Sequence, residues 1–185
     1  MGMCKANFLD RSKRMPSRQE LLRLFIYQPD TGIFINRMTR SPTAMAGSVA
    51  GNIGNLGYVL IRINKEKFLA HRLVWVWMSG EDPIGYVIDH VDNTPRNNAW
   101  DNLRRSTLAQ NNQNQRIRSA NSSGVKGVSW NGYKNLWAAS IISQKHGRIC
   151  RNFKTIAEAE DFVMEQRNLM HGEFANHGER NNVND

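Results

Sequence analysis

The chain has 185 residues, 40% of them apolar and 9% aromatic, which is enough for one ordinary domain or two small ones and argues against global disorder. Its formal net charge of +9 favours a polyanionic partner. The longest apolar run, residues 73–78, is too short to span a bilayer, so no membrane partner is expected.

Residues 1–15 read as a disordered basic tail, without a secretory apolar segment, and Ala6 stands where an acylation signal needs Ser or Thr. A cytoplasmic location is expected. Ser17 and Glu20 form a capping box that opens a short helix over residues 20–25. Residues 28–32, Gln-Pro-Asp-Thr-Gly, make a turn into a strand at 33–35. Residues 38–57, rich in Gly, Ser, Ala and Asn, are either a loop with short β pieces or an arm tracking DNA. Residues 58–63 alternate, turn at Asn64-Lys65 and return through Phe68-Leu69 as a hairpin.

Residues 71–78 read as a helix with Leu73, Val74, Trp77 and Met78 on one face, ended by Ser79-Gly80 and Pro83. An apolar run, Tyr86-Val87-Ile88, then closes on Asp89-His90. Beyond a turn at Pro95-Arg96-Asn97-Asn98, Asn98 can cap a third helix, with Asp101 three positions on. Residues 110–115 are polar without a core face, a linker or a helix lying along DNA. Residues 125–130, 136–142 and 148–153 read as three short strands, with turns at Asn131-Gly132 and Lys145-His146-Gly147. Thr155 and Glu158 cap an amphipathic helix carrying Ala159, Phe162, Val163 and Leu169.

The charge is unevenly spread. Between Asp101 and Glu158 there is no acidic residue, yet Arg104, Arg105, Arg116, Arg118, Lys126, Lys134, Lys145, Arg148, Arg151 and Lys154 all fall there. A merely solvated surface mixes the signs, so nucleic acid is the expected partner. Cys4 and Cys150 are the only cysteines and form no Cys-x-x-Cys pair, which leaves no common structural zinc site.

Residues 88–104, I-D-H-V-D-N-T-P-R-N-N-A-W-D-N-L-R, concentrate the chemistry. Phosphodiester cleavage needs a base to take a proton from water and a cation to neutralise the charge growing on the phosphate. His90 suits the base, because neutral imidazole titrates near the working pH. Asp89 offers a hard anionic oxygen and Asn102 an amide oxygen, and with waters and a phosphate oxygen these suit a magnesium-like ion. Consecutive strand residues point to opposite faces. Asp89 and His90 therefore share a cleft only if the strand ends there. Asn98 and Asn102, four positions apart, would stack on one helical face. Taken singly, these residues also suit ordinary turn and surface roles; the ordered set points to catalysis.

That set, Asp89-His90, Asn97-Asn98 and Asn102-Leu103-Arg104, resembles the HNH nucleases of the ββα-metal class, especially the phage and intron-encoded homing group. The resemblance extends upstream to His71-Arg72-Leu73-Val74-Trp75 and to Leu24-Phe25 through Gly32. It implies that Asp89 and Asn102 hold one divalent ion, Mg2+ or Mn2+, and that His90 activates water. A central Asn, Asn98 with Asn97 as the close alternative, ties the hairpin loop. His71 is implied to be structural or phosphate-contacting, and Asn93 replaces the glycine usual in the loop. With no structural zinc, the core alone must hold the fold.

Residues 123–175 resemble the Apetala-type (ethylene-response-factor) DNA-binding domain, through Gly124 to Trp130, Trp137 to Ile141, Phe153 to Ala159 and His171 to Phe174. In that family the sheet enters the major groove. The resemblance makes Lys126, Trp130, Lys134, Trp137, Arg148 and Arg151 the candidate contacts, beside Arg104, Arg105, Arg116 and Arg118. Ser129, Ser140 and Ile142 replace the base-reading side chains of the plant pattern.

The expected fold is α+β: a ββα-metal nuclease core followed by a small three-stranded antiparallel sheet plus helix. The expected divisions are 1–15 (tail), 16–57 (helix, strand and loop), 58–110 (nuclease core), 111–122 (basic polar linker), 123–176 (Apetala-like domain) and 177–185 (tail). The function expected is metal-dependent cleavage of double-stranded DNA. A double-strand break would need a homodimer or two sequential events. A DNA-binding regulator with an inactive centre is the alternative, and a basic RNA-binding protein a third class.

Overall fold

The computed structural model describes residues 14–115, 117, 120–143 and 145–178. Of the expected tails at 1–15 and 177–185, residues 1–13 and 179–185 lie outside the described residues, as do Arg116 and Arg118. The chain is α+β, in two compact units that meet in sequence between Ser106 and Thr107.

The first unit opens with α1 (Arg18–Leu24). Ser17 Oγ accepts from the Glu20 amide at 3.2 Å, while Glu20 Oε1 accepts from Asn64 Nδ2 instead of reaching back to the cap. Phe25, expected to end the helix, begins β1 (Phe25–Gln28), because its buried ring belongs to the core and its backbone pairs with Asn36. β1 and β2 (Ile33–Asn36) form an antiparallel hairpin whose turn ends at Gly32, with φ +72°. Residues 38–57 are a loop with short β pieces, namely β3 (Asn52–Ile53) and bridges at Ile35–Val49 and Ser41–Ala44.

β3 pairs with β4 (Val59–Ile63), and β4 with β5 (Glu66–Leu69), as an antiparallel sheet. Asn64 and Lys65 both have positive φ, the turn geometry that follows the twist of the flanking strands. The chain passes straight into α2 (Ala70–Ser79), which buries Leu73, Val74 and Val76 and stops at Gly80 in the left-handed region. One core joins Leu21, Leu24, Phe25 and Phe34 to Ile61, Ile63, Leu73, Val74, Ile88 and Leu103. Residues 16–57 therefore share a core with the residues that follow, because too few apolar side chains lie in either stretch to close one alone.

β6 (Val87–His90) and β7 (Leu103–Ser106) pair antiparallel, with Asp89 opposite Arg104 and His90 opposite Leu103. Between them the helix expected from Asn98 is reduced to one 3-10 turn, Trp100–Asn102, capped by Ala99. Pairing with β6 wins over the capping signal, since it buries Leu103 and Ser106 at the two ends of β7.

The second unit begins with Thr107, whose side chain and Gln110 form a complete capping box for α3 (Leu108–Asn114). The stretch 110–115 is thus helical as far as Asn114, and its end is tied into this unit. The half-buried Lys126 ammonium donates to the carbonyls of Gln113, Gln115 and Asn176. Burial, and then the nearby Arg167, push that ammonium down to about 8. β8 (Val128–Asn131), β9 (Leu136–Ser143) and β10 (Gly147–Phe153) form an antiparallel sheet with β9 central. α4 (Ile156–His171), capped by Thr155 and Glu158, covers one face through Ala159 and Val163 against Val128, Ala139 and Ile141. No helix among the described residues is long and apolar enough to cross a membrane.

Candidate active site

Asp89 and His90 end β6, and both are buried. The strand stops at His90, whose carbonyl accepts from the Asn93 amide at 3.0 Å. Asn93 has φ +56°, a conformation that asparagine tolerates, so it performs the backbone task of the usual glycine.

His90 Nε2 lies 3.2 Å from Asn98 Oδ1. Asn98 Nδ2 donates to the Arg96 carbonyl at 3.2 Å, which fixes the amide so that its oxygen faces the imidazole. An amide oxygen only accepts. The neutral His90 ring therefore carries its proton on Nε2 and its lone pair on Nδ1. Burial lowers the pKa of His90 below the ordinary 6.5, against the opposing pull of the Asn98 hydrogen bond, Asp92 and Asp89. Of the two asparagines weighed as the central one, Asn98 holds the histidine, while Asn97 donates to Asp92 Oδ2 at 2.8 Å.

Asp89 Oδ2 accepts from Arg104 Nε at 3.0 Å across the β6–β7 pair. Arg104, expected to grip DNA, is an ion-pair partner of the expected metal ligand. Asn102 does not share a helical face with Asn98. Its Nδ2 donates to Asp92 Oδ1 (2.9 Å) and the Asn97 carbonyl (2.8 Å), and its Oδ1 accepts from the Asp92 amide (3.0 Å).

Asp92 is the residue that the sequence reading missed. Burial alone would raise its carboxyl, yet hydrogen bonds from Asn97, the Thr94 amide and Asn102 outweigh that and hold it below its ordinary value. Its Oδ1 accepts from the Thr94 amide at 2.8 Å, an Asx turn, and Asp-x-Thr ahead of a proline was the available signal. Replacing Asp92 with alanine is expected to cost about 1–2 kcal/mol, from the lost hydrogen bonds, and to slow cleavage. Urea melts with a parallel nicking assay measure both, and an unchanged rate would show that the loop holds itself.

His71, on the first turn of α2, is buried with its ring edge-on to His90, centroids 4.9 Å apart, and Tyr58 lies 5.4 Å from His71. Burial, followed by His90 and Arg72, pushes the pKa of His71 well below 6.5, which favours the neutral ring. Among the described residues no group of three or more His, Cys, Asp and Glu could cage a metal. A hard cation would be held here by few protein oxygens: the carboxylate of Asp89, one oxygen of which also accepts from Arg104, and a carbonyl oxygen such as Asn102 Oδ1, which has a second lone pair.

The sheet register sorts the expected DNA contacts of the second unit. Val128, Ala139, Ile141, Trp137, Ile149 and Phe153 face α4. By alternation, Trp130 and Arg151 share that face, with Trp130 packed edge-on to Trp137 at 5.1 Å and the Arg151 guanidinium 5.3 Å from the Phe162 ring. Arg148 alone of the expected sheet contacts stands on the open face, where its Nε donates to Ser140 Oγ at 3.1 Å. Lys134 is exposed in the β8–β9 turn, and the half-buried Lys126 is occupied by its carbonyls. In the first unit, the Arg105 guanidinium stacks 3.8 Å from the Tyr86 ring.

The sequence model of the HNH endonuclease family matches residues 68–113. Protein 3.8 of Escherichia phage T7 is 33% identical over 105 residues, which cover 57% of this chain and 86% of that protein. The chain belongs to the HNH endonuclease family. A further relative of this HNH endonuclease, the uncharacterized HNH endonuclease L560 of Acanthamoeba polyphaga mimivirus, is 30% identical over 124 residues, 66% of this chain and 63% of that protein. The solved structure of the HNH homing endonuclease I-HmuI matches 80% of this chain and 84% of its own, at 21% identity and a TM-score of 0.38. HNH nucleases generally use one divalent metal.

Proposed function

We propose that this HNH endonuclease hydrolyses phosphodiester bonds of double-stranded DNA, in the manner of phage and intron-borne homing enzymes. His90 is the general base, and Asp89 and Asn102 hold one Mg2+ or Mn2+. The observation that carries this reading is the His90–Asn98 hydrogen bond beside a buried Asp89. With Nε2 held by Asn98, Nδ1 is the ring nitrogen assigned to take the proton from the attacking water and, once protonated, to release it to solvent. Because burial keeps the ring below its ordinary range, the base is neutral at pH 7. Arg104 fixes the orientation of the Asp89 carboxylate, and the Asp92 network fixes Asn102. The ion, when bound, supplies the positive charge that offsets the negative charge developing on the phosphate and the leaving oxygen.

The second unit is assigned as the DNA grip, supported by its Apetala-like order of strands and helix and by exposed Arg148 and Lys134. Exposed Arg105 adds a cation on the nuclease side. Phosphate contacts of this kind set affinity and its salt dependence. Removing Lys134 and Arg148 together, both to alanine, should flatten the slope of log K against log salt by about 1 per lost contact. Filter binding across a salt series measures this, and an unchanged slope would move the grip elsewhere. One centre cuts one strand, so a double-strand break takes a homodimer or two sequential events.

The decisive test is supercoiled-plasmid cleavage by wild type and His90→Ala, with Mg2+, with Mn2+ and with EDTA. Metal-dependent nicking by wild type alone is expected. Salt-dependent binding with no cutting of any DNA offered, including the chain's own flanking locus, would make the protein a DNA-binding regulator instead.

A further inference from the structure

The stretch Tyr27-Gln28-Pro29-Asp30-Thr31-Gly32 lies outside the residues 68–113 that match the family, and none of its side chains enters the chemistry described above. Three contacts nevertheless join it to the loop that holds His90. The buried Tyr27 hydroxyl donates to the Asn98 carbonyl at 2.8 Å. The Pro29 carbonyl accepts from the Trp100 amide at 2.9 Å. At Gly32 the backbones approach so closely that an added Cβ would lie 2.2 Å from the Asn98 carbonyl carbon and 2.3 Å from the Ala99 nitrogen.

The rest of the hairpin is built to keep those contacts in place. Gly32 N–H donates to the Gln28 carbonyl at 2.9 Å, and Thr31 Oγ1 donates to Gln28 Oε1 at 3.0 Å, which closes the turn. The Tyr27 ring packs 4.9 Å from Phe34 and 6.2 Å from Trp77, centroid to centroid, so the phenol is held between β2 and α2. Burial, with Asp101 and Asp30, raises the phenol well above its ordinary range, which keeps it a donor. The loop end is equally constrained, since Asn98 is among the most fully buried side chains of the chain.

We propose that the β1–β2 hairpin is the positioning element of the active centre, and that Tyr27 is a positioning residue acting on His90 through Asn98. The inference rests on the reading of His90 as general base. The hairpin holds the Asn98 main chain, Asn98 holds Nε2 of His90, and the direction of Nδ1 follows. An enzyme of this kind cannot leave its base free to swing, because a displacement of about 1 Å can cost on the order of 100-fold in rate. The Tyr27 hydroxyl removes one such freedom at the Asn98 end of the loop, beside the Asp92 network and the single 3-10 turn that stiffen the rest of it.

The test is a double-mutant cycle on the full chain, with wild type, Tyr27→Phe, Asn98→Ala and the pair. It reads single-turnover plasmid nicking at saturating protein and DNA affinity, well below the melting temperature of each variant. Tyr27→Phe is expected to lower the rate constant on the order of 10-fold with unchanged affinity, and to add nothing once Asn98 is alanine. A wild-type rate in Tyr27→Phe overturns the proposal. So does an equal penalty in both backgrounds, because the hydroxyl would then act on stability or elsewhere. His90→Ala runs beside the cycle. Cutting by that variant would overturn the base assignment, and the coupling between Tyr27 and Asn98 would still be read from the four rates.

Discussion

His90→Ala is expected to abolish metal-dependent nicking while leaving DNA affinity within about two-fold of wild type, since the ring is buried and well removed in role from the basic grip. Loss of a general base costs roughly 100- to 10,000-fold. The Nδ1 lone pair has no substitute, because the neighbouring imidazole of His71 is buried edge-on and the Asn98 amide oxygen only receives the Nε2 proton. Parallel loss of cutting and binding would show a general collapse and sink the assignment. The same residue sets the expected pH profile. A base works when neutral, so activity is present above the His90 pKa and lost as pH falls through it. Burial places that pKa below 6.5, and the acid limb of kcat/KM should lie below the ordinary imidazole range. Folding responds in the same direction: His71 and His90 both bind protons less readily folded than unfolded. Their contribution to stability is full above about pH 6.5 and declines as pH falls below it.

Asp89→Asn is the second large effect. It removes the anionic ligand and leaves the Arg104 guanidinium without its carboxylate. Breaking one side of a buried ion pair costs roughly 3–5 kcal/mol when both partners are sealed from water. Arg104 keeps 17% of its side chain exposed, so a cost of about 1–3 kcal/mol is expected. Thermal melts with and without Mg2+ separate this from the metal's own contribution. Wild type should gain melting temperature with Mg2+, because a ligand that binds only the folded state stabilises it. The variant should gain none, and its cleavage should require far higher Mg2+. An equal Mg2+-dependent gain in both proteins would remove Asp89 from the metal site.

Much of this centre could be read from residue types and order. The Asp89-His90 pair at a strand end, the capping residues of α1 and α4, and the Asn64-Lys65 turn all depend on chemistry within a few residues. What stayed out of reach depends on contacts far apart in sequence. The capping signal at Asn98 was sound locally, but pairing of β7 with β6 overrode it. Asn97 and Asn98 are chemically identical, and only the position of the His90 ring, set by α2 and β6, distinguishes them.

The sequence by itself determined the kit: an anionic oxygen, an imidazole and carboxamides in one loop, and a basic stretch without acidic residues between Asp101 and Glu158. These follow from composition and spacing, which need no folding to exist. The tertiary structure alone decided how the kit is used. It assigned Arg104 to Asp89 and Lys126 to three carbonyls, and it turned Trp130, Trp137 and Arg151 toward α4. It also brought Tyr27 and Gly32 onto the loop of Asn98, 71 residues from Tyr27 along the chain. The physical reason is that strand register and close backbone packing are global properties. A shift of one residue reverses the face of a side chain, and only the shared core fixes which register is formed.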